Sequence, residues 1–399
     1  MTEPWEEFAL RAARAETAGY FERAPGQSTA EGVTTWFDRG DPLPPIGPRT
    51  DLEEVARATE RHVRSDPHAV AMGYVGFDAV GLFEPALARF PGGSPFPLGE
   101  IVLASRATTV RSETGSRRWA RPPPGPIVGR PLSDSLPRPR FRTAVGRLRA
   151  AIRDGEAFQV VLAHRRRWAR PSDLLARAGR LRRSERFAFF YYLKVGGREI
   201  LGATPESVAE VHGTRAQVNP IAGTLPRAAA EGRRALQNDP KELSEHRMLV
   251  DLARNDLGRV ARPGSVRLLW KERRVRYARL EHLVSRVGAR LSPGVGPWDV
   301  LRATFPAGTV SGAPKIRATE WLRREERTWR GPYAGTVGLI RPGGRADWAL
   351  AIRGGFAAED DLYTAAGAGV VYGSRANREF DETLVKLSQV EATLVGGDR

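Results

Sequence analysis

A chain of 399 residues with 41% hydrophobic content is long enough to bury one large core or two ordinary ones. The absence of cysteine excludes disulfides, thiolate metal sites and a cysteine nucleophile, so any glutaminase chemistry must belong to another chain. The formal net charge of +17 rests almost wholly on arginine scattered from end to end, with lysine confined to Lys194, Lys241, Lys271, Lys315 and Lys386, a dispersion that argues against a nucleic-acid surface.

In chain order, the acidic start Met1-Thr-Glu-Pro-Trp-Glu-Glu7 does not resemble a signal, and the densest apolar patch, 187–195, is too short to span a bilayer; the expectation is a cytoplasmic protein without a membrane partner. Proline-rich stretches cover 41–48 and 121–139, the second reading as an extended connector. Between them the spacing predicts a helix over 52–63 and a strand over 70–77. Beyond them Phe141, Val145, Leu148 and Ile152 mark one face of a helix ending at Gly155. Short strands are predicted over 159–162 and 198–201, and a hairpin over 208–218 turning at His212-Gly213. Residues 333–340, 346–353 and 362–366 read as consecutive antiparallel strands before a terminal helix. Runs of strands interrupted by single helices predict an α+β fold.

Two acidic segments stand out in this basic chain. Residues 239–248 and 378–386 are predicted helical, and each places two glutamates three residues apart, Glu242 with Glu245 and Glu379 with Glu382. Residues so spaced share a helix face. Hard carboxylate oxygens in that arrangement suit magnesium, although an isolated pair also suits a solvated face with ion pairs such as Glu382 to Lys386.

Before and between these helices runs a series of motifs: Phe158-Gln-Val-Val-Leu162, Gly202-Ala-Thr-Pro-Glu-Ser207, Pro220-Ile-Ala-Gly-Thr224, His246 through Asn255-Asp-Leu-Gly258, His282-Leu-Val-Ser285, Phe305-Pro-Ala-Gly-Thr-Val-Ser-Gly-Ala-Pro-Lys315, Arg330-Gly-Pro-Tyr-Ala-Gly335, Ala351-Ile-Arg353 and Gly367-Ala-Gly369. In this order they resemble the chorismate-utilising enzymes, and among them the aminase subunit, component I, of anthranilate synthase. The likeness spans about 141–395 and is thin before the connector, where Gly73-Tyr-Val-Gly-Phe-Asp78 carries it. It implies large antiparallel sheets in a sandwich with flanking helices. It also implies an N-terminal region (1–120) contributing to the same fold, a linker (121–140) and a chorismate-binding catalytic domain (141–399).

The resemblance assigns roles by position. Glu245 and Glu382 match the ligands of Mg²⁺, with Glu242 and Glu379 close behind. Glu206 matches the general acid that protonates the departing C4 hydroxyl, which requires burial to keep it protonated. Tyr333 and Arg353 match residues that bind the enolpyruvyl carboxylate. His282 matches a histidine beneath the ring, Thr309 a further catalytic position, Ala222, Gly223 and Thr224 a substrate wall, Gly367 and Gly369 backbone donors, and Lys386 a lysine at the metal-carboxylate cluster. His246 reads as a packing residue.

Two positions bear on the reaction. Relatives that add water at C2 carry a lysine base where this chain has Gln159, and many that aminate C4 carry a lysine nucleophile where it has Ala222. Glutamine orients ammonia but does not deprotonate water. The resemblance therefore implies a lyase of anthranilate synthase type, in which ammonia from a separate glutamine amidotransferase attacks C2 of chorismate and pyruvate is then lost. Release of 2-amino-2-deoxyisochorismate, amination at C4, and isochorismate or salicylate synthesis stay open. Asn219, Leu280-Glu281, Ala163-His164 and Ser374-Arg-Ala-Asn377 depart from the usual residues, and a Leu-Leu-Glu-Ser feedback element is not found. These departures suggest specialised metabolism as much as aromatic amino acid biosynthesis.

Overall fold

A computed structural model of the chain describes residues 3–25, 32–112, 127, 129–184, 187–226, 240–276 and 280–396; the side chains of 184, 222–226, 240–242, 276 and 280–281 fall outside that description. Within it the fold is α+β, two large antiparallel sheets packed as a sandwich with helices around them. The first sheet runs in the order 312–313, 159–169, 361–370, 354–358, 198–204, 189–195, 18–23, 32–37, 108–112. The second runs 221–226, 280–290, 215–218, 207–212, 345–350, 336–341, 70–75, 99–104, 41–42. Strands from the first 112 residues thus complete one end of each sheet.

Alternation along the strands decides which face meets which layer. In the first sheet Phe21, Tyr191 and Leu193 join the core shared with the second sheet, where Tyr74, Val208 and Trp348 lie. Their neighbours Tyr20, Phe190 and Tyr192 point the other way and join Trp5, Phe8, Ala178, Val390 and Leu394 from the covering helices Pro4–Ala12, Leu174–Ser184 and Ala376–Leu394. Both faces are buried along most of its length, so the strand Phe189–Val195 reads as a nearly continuous apolar run interrupted at Lys194. The second sheet is covered by Leu52–Ser65 and Pro297–Thr304, where Trp298 lies 5.3 Å from Trp348 and donates to Thr59 at 2.8 Å.

The predicted helix after the connector spans Arg138–Arg153, with Pro139 in its first turn and Gly155 beyond it at φ +82°, a conformation glycine adopts without strain. The hairpin forms from Ser207–His212 and Arg215–Val218. Three expectations are corrected. The strands at 159 and 198 extend to Gln159–Ala169 and Arg198–Thr204, because arginines 165–167 face partly outward on a strand that is still paired along its length with 361–370. The strand expected over 346–353 ends at Leu350, and an unpredicted strand, Gly354–Ala358, follows. Its two leading glycines weaken any local strand signal.

The third correction concerns the last strands, which are consecutive in sequence but do not share a sheet. Thr336–Arg341 and Arg345–Leu350 belong to the second sheet, Gly354–Ala358 and Asp361–Val370 to the first. The chain changes sheets across Ala351-Ile352-Arg353, with Arg353 in the left-handed region at φ +55°. Gly354 permits the close approach that follows: a Cβ there would stand 2.0 Å from the Leu201 carbonyl oxygen. Gly354→Ala is expected to lower stability by about 1–3 kcal/mol through overpacking, seen as a fall in urea midpoint at unchanged slope. Gly92→Ala, with nothing within 4 Å of the new carbon, should leave the midpoint where it is.

Candidate active site

The sheet crossover lies at the wall of a cavity of about 160 Å³ lined by Val161, Glu206, Ile221, His282, Thr309, Tyr333, Arg353, Gly367 and Lys386 among others. Each comes from a different element or loop, so the cavity exists only when both sheets and the segment 305–315 are assembled.

Glu206 sits in a turn between Arg198–Thr204 and Ser207–His212. Its carbonyl accepts from the Leu350 amide at 3.0 Å, which ties the turn to the start of the crossover. The carboxyl is buried and accepts one hydrogen bond, from Thr309 Oγ1 at 2.7 Å. Burial raises its pKa from 4.5 to about 8, and the Thr309 bond opposes that rise. A carboxylic acid is therefore present at neutral pH, able to donate a proton inside the cavity.

Tyr333 is buried opposite, its phenol pushed up to about 12 chiefly by burial, so it stays a neutral donor. Arg353 reaches the same cavity from the crossover and donates to Gln389 of the terminal helix. His282 is buried on the strand Leu280–Arg290. Lys386 Nζ donates to the Gly367 carbonyl at 2.8 Å and pairs with Glu382 at 2.7 Å, so the terminal helix is stitched to the strand carrying Gly367.

The remaining predicted residues lie around this centre. Gln159 begins the strand Gln159–Ala169 and packs on Gly369, where a Cβ would meet its Nε2 at 2.7 Å. It is beside the cavity rather than among the residues that line it. Ala222, Gly223 and Thr224 lie on Ile221–Pro226, next to cavity-lining Ile221, with their side chains outside the described residues. Glu379 is buried, Glu382 is half exposed, and both ride on Ala376–Leu394. Glu245 lies on Pro240–Gly258 and lines a neighbouring groove with Phe158, Lys315 and Tyr372. Glu242 is on the same helix, its side chain outside the described residues. His246 is fully buried against Ser285 Oγ at 2.7 Å. All four acidic residues offer carboxylate oxygens, a donor set suited to a hard dication.

Sequence reasoning left several supporting groups without roles. Lys315 is buried and donates to Asp256 at 2.8 Å and to the Thr304 carbonyl at 3.0 Å, joining the acidic helix to the segment that carries Thr309. Arg330, quoted within a motif, donates to the carbonyls of Val161 and Val310, both cavity residues, and to Glu326. Asp78 accepts from the Arg330 and Gly331 amides at 3.0 and 2.7 Å. Among the described residues it is Glu210, His212 and Asp347, not the predicted glutamates, that bring potential ligand atoms within 4.8 Å of one another. Arg23 and Arg341 already pair with Asp347, and Asn219 and Gln217 donate to Glu210, which marks an ion-pair cluster rather than a vacant cation site.

A profile described as chorismate binding enzyme matches residues 10–392. The chain belongs to the chorismate-binding enzyme family. It is 36% identical to anthranilate synthase component 1 of Streptomyces coelicolor over 86% of this chain and 77% of that protein. It is 37% identical to 2-amino-4-deoxychorismate synthase of Streptomyces globisporus over 74% and 60%. The solved structure of anthranilate synthase component I from Streptococcus pneumoniae superposes with a TM-score of 0.74 at 27% identity, covering 95% of this chain and 92% of that one. The family match begins within the first helix, in keeping with N-terminal strands that complete both sheets. No described helix is long and apolar enough to cross a membrane.

Glu206→Gln is expected to lower turnover of chorismate by roughly 10²–10⁴-fold. Thr309→Val removes the bond that opposes the raised pKa, so the alkaline limb of the pH–rate profile should move to higher pH. A limb displaced to lower pH would contradict this assignment. Linkage gives an independent check: the folded state keeps a proton on Glu206 that the unfolded state releases between pH 4.5 and about 8, so its contribution to stability falls as pH rises through that window. In Glu206→Gln that part of the slope should vanish.

Proposed function

We propose that this family member aminates chorismate at C2 with ammonia and then eliminates pyruvate to give anthranilate, acting as a component I-type lyase. The observation that carries the reading is a buried carboxylic acid, Glu206, sharing one cavity with a phenol and a guanidinium, Tyr333 and Arg353. A reaction that expels hydroxide from C4 needs the first, and a substrate bearing an enolpyruvyl carboxylate needs the second. Anthranilate synthase relatives at 36% and 41% identity support the same assignment.

In this mechanism Tyr333 and the Arg353 guanidinium hold the enolpyruvyl carboxylate, and Lys386 and the backbone at Gly367 and Gly369 bound the ring. Glu206, oriented by Thr309, protonates the C4 hydroxyl as it leaves as water. Ammonia, oriented by Gln159, bonds to C2 while the ring double bonds shift, and it loses a proton. Loss of the C2 proton and of pyruvate then leaves the aromatic ring, with His282 at the C1–C2 side and Ala222, Gly223 and Thr224 as the facing wall. Glu245 and Glu382, backed by Glu242 and Glu379, would hold Mg²⁺, which when bound offsets the ring carboxylate and draws electron density from the ring. The ammonia comes from a separate glutamine amidotransferase, since the chain has no cysteine. The setting is the cytoplasm.

A second reading, arrest at the aminated ring, is favoured by the Streptomyces globisporus relative, whose named product is an aminodeoxychorismate rather than anthranilate. Incubation of the purified chain with chorismate, Mg²⁺ and ammonium salt, followed by mass analysis, decides between them. Anthranilate with equimolar pyruvate is the expected result. An aminated product retaining the enolpyruvyl group would establish the second reading, and isochorismate or salicylate formed without ammonium would overturn both. Gln159→Lys should redirect product toward hydroxylation at C2; unchanged amination in that variant would remove Gln159 from its role.

A further inference from the structure

His164 lies on the strand Gln159–Ala169, with its side chain fully buried. Three elements converge on it. Nδ1 is 2.9 and 3.0 Å from the two carboxylate oxygens of Asp134, on the short strand Ser133–Asp134. Nε2 is 2.8 Å from Thr383 Oγ1, on the terminal helix. The ring packs at 5.1 Å against Phe380 and 6.1 Å against Phe141.

The neighbours of both ring nitrogens are themselves fixed. Thr383 Oγ1 donates its own proton to the Phe380 carbonyl at 2.6 Å, which leaves a lone pair toward Nε2. Burial works against charge on Asp134, yet His164, the Leu136 amide and Arg166 together hold it below the usual carboxylate range, so an acceptor faces Nδ1. Arg166 pairs with Asp134 at 3.6 Å and with buried Glu391 at 3.0 Å, which ties the strand to the terminal helix beside the histidine. Beyond Phe380, Arg138 stacks on its ring at 4.5 Å and pairs with Asp381 at 2.6 Å.

Thr383 follows Glu382 directly and stands one helical turn after Glu379. A bond from a fixed strand to Thr383 sets the rotation of this helix about its axis. At a side-chain radius of roughly 6 Å, a rotation of about 15° carries a carboxylate about 1.5 Å, well outside the roughly 0.2 Å tolerance of metal–ligand distances. We propose that His164, anchored on Asp134, is a positioning residue that holds Thr383 and thereby sets the orientation of Glu379 and Glu382 for a divalent cation. This rests on the metal reading of those glutamates given above.

The test uses Mn²⁺ as the probe, titrated into the full chain and followed by electron paramagnetic resonance, with the melting temperature measured without metal. Saturable binding by the unaltered protein, lost in Glu382→Gln, upholds the metal reading; its absence sinks that reading and the proposal with it. Given binding, His164→Asn keeps a nitrogen toward Asp134 but none toward Thr383, and His164→Gln does the reverse. Thr383→Val removes the acceptor at nearly constant volume, and Thr383→Ser retains it. The expected result is Mn²⁺ affinity weakened about tenfold in His164→Asn and Thr383→Val and kept within about threefold in His164→Gln and Thr383→Ser, while the metal-free melting temperature falls alike in both His164 variants. Unchanged affinity in Thr383→Val, or an equal loss in His164→Gln and His164→Asn, would overturn the role of His164 and leave the metal site standing.

Discussion

Arg330 is a buried guanidinium, and the cavity is built on it. Its Nε and one terminal nitrogen donate to Glu326 at 2.9 and 2.5 Å, and its terminal nitrogens also reach the carbonyls of Val310 and Val161, each at 2.7 Å. A buried charge of this kind is tolerated when its donors are satisfied, and removing one partner typically costs about 3–5 kcal/mol. The bonds therefore draw together the strand Gln159–Ala169, the short helix Gly308–Ser311 that carries Thr309, and the helix Lys315–Glu326. Tyr333 follows three residues later, and Asp78 secures the intervening turn through the Arg330 and Gly331 amides. Electrostatic necessity, more than apolar area, sets where the cavity walls stand.

Glu206 meets burial in the opposite way, by staying neutral. Its carboxyl is withdrawn from water, and the one hydroxyl bonded to it, that of Thr309, only partly offsets the cost of ionising it there. Arg330 keeps its charge because Glu326 and two backbone carbonyls pair it. Two buried ionisable groups in one fold thus settle into different states because their partners differ.

Much of this was legible in the residues themselves. The helix over Arg138–Arg153, the hairpin at Gly213 and the two acidic helices follow from spacing, because one face of each must be buried and the other need not be. The motif series located Glu206, Thr309, Tyr333 and Arg353 before any geometry was known, and the structure places them on one cavity. What escaped was set by distant partners. The strands Ala18–Arg23 and Gly32–Phe37 carry no strong alternation, since both of their faces are covered. Gly354–Ala358 is a strand because Leu201 and Tyr363 bond to it, not because of its own composition. Arg330 and His164 could be seen in the sequence, but their importance comes from contacts with residues more than a hundred positions away or in other layers. Local pattern reveals which face is buried, and it is silent on which charges will meet there.

The passage of the chain from one sheet to the other at Ala351-Ile352-Arg353 has a bearing on how the fold tolerates change. This three-residue bridge is one passage between the sheets beside the cavity, Pro205-Glu206 being another, and it presents a cavity side chain itself. Inserting or deleting a residue here would shift the register of two sheets at once and rotate Arg353 away from its wall, whereas the turn at Gly343-Gly344 or the hairpin end at Gly213 can lengthen into solvent. Variation in this fold is thus channelled to its rims, and the segment joining its layers has the least freedom to drift.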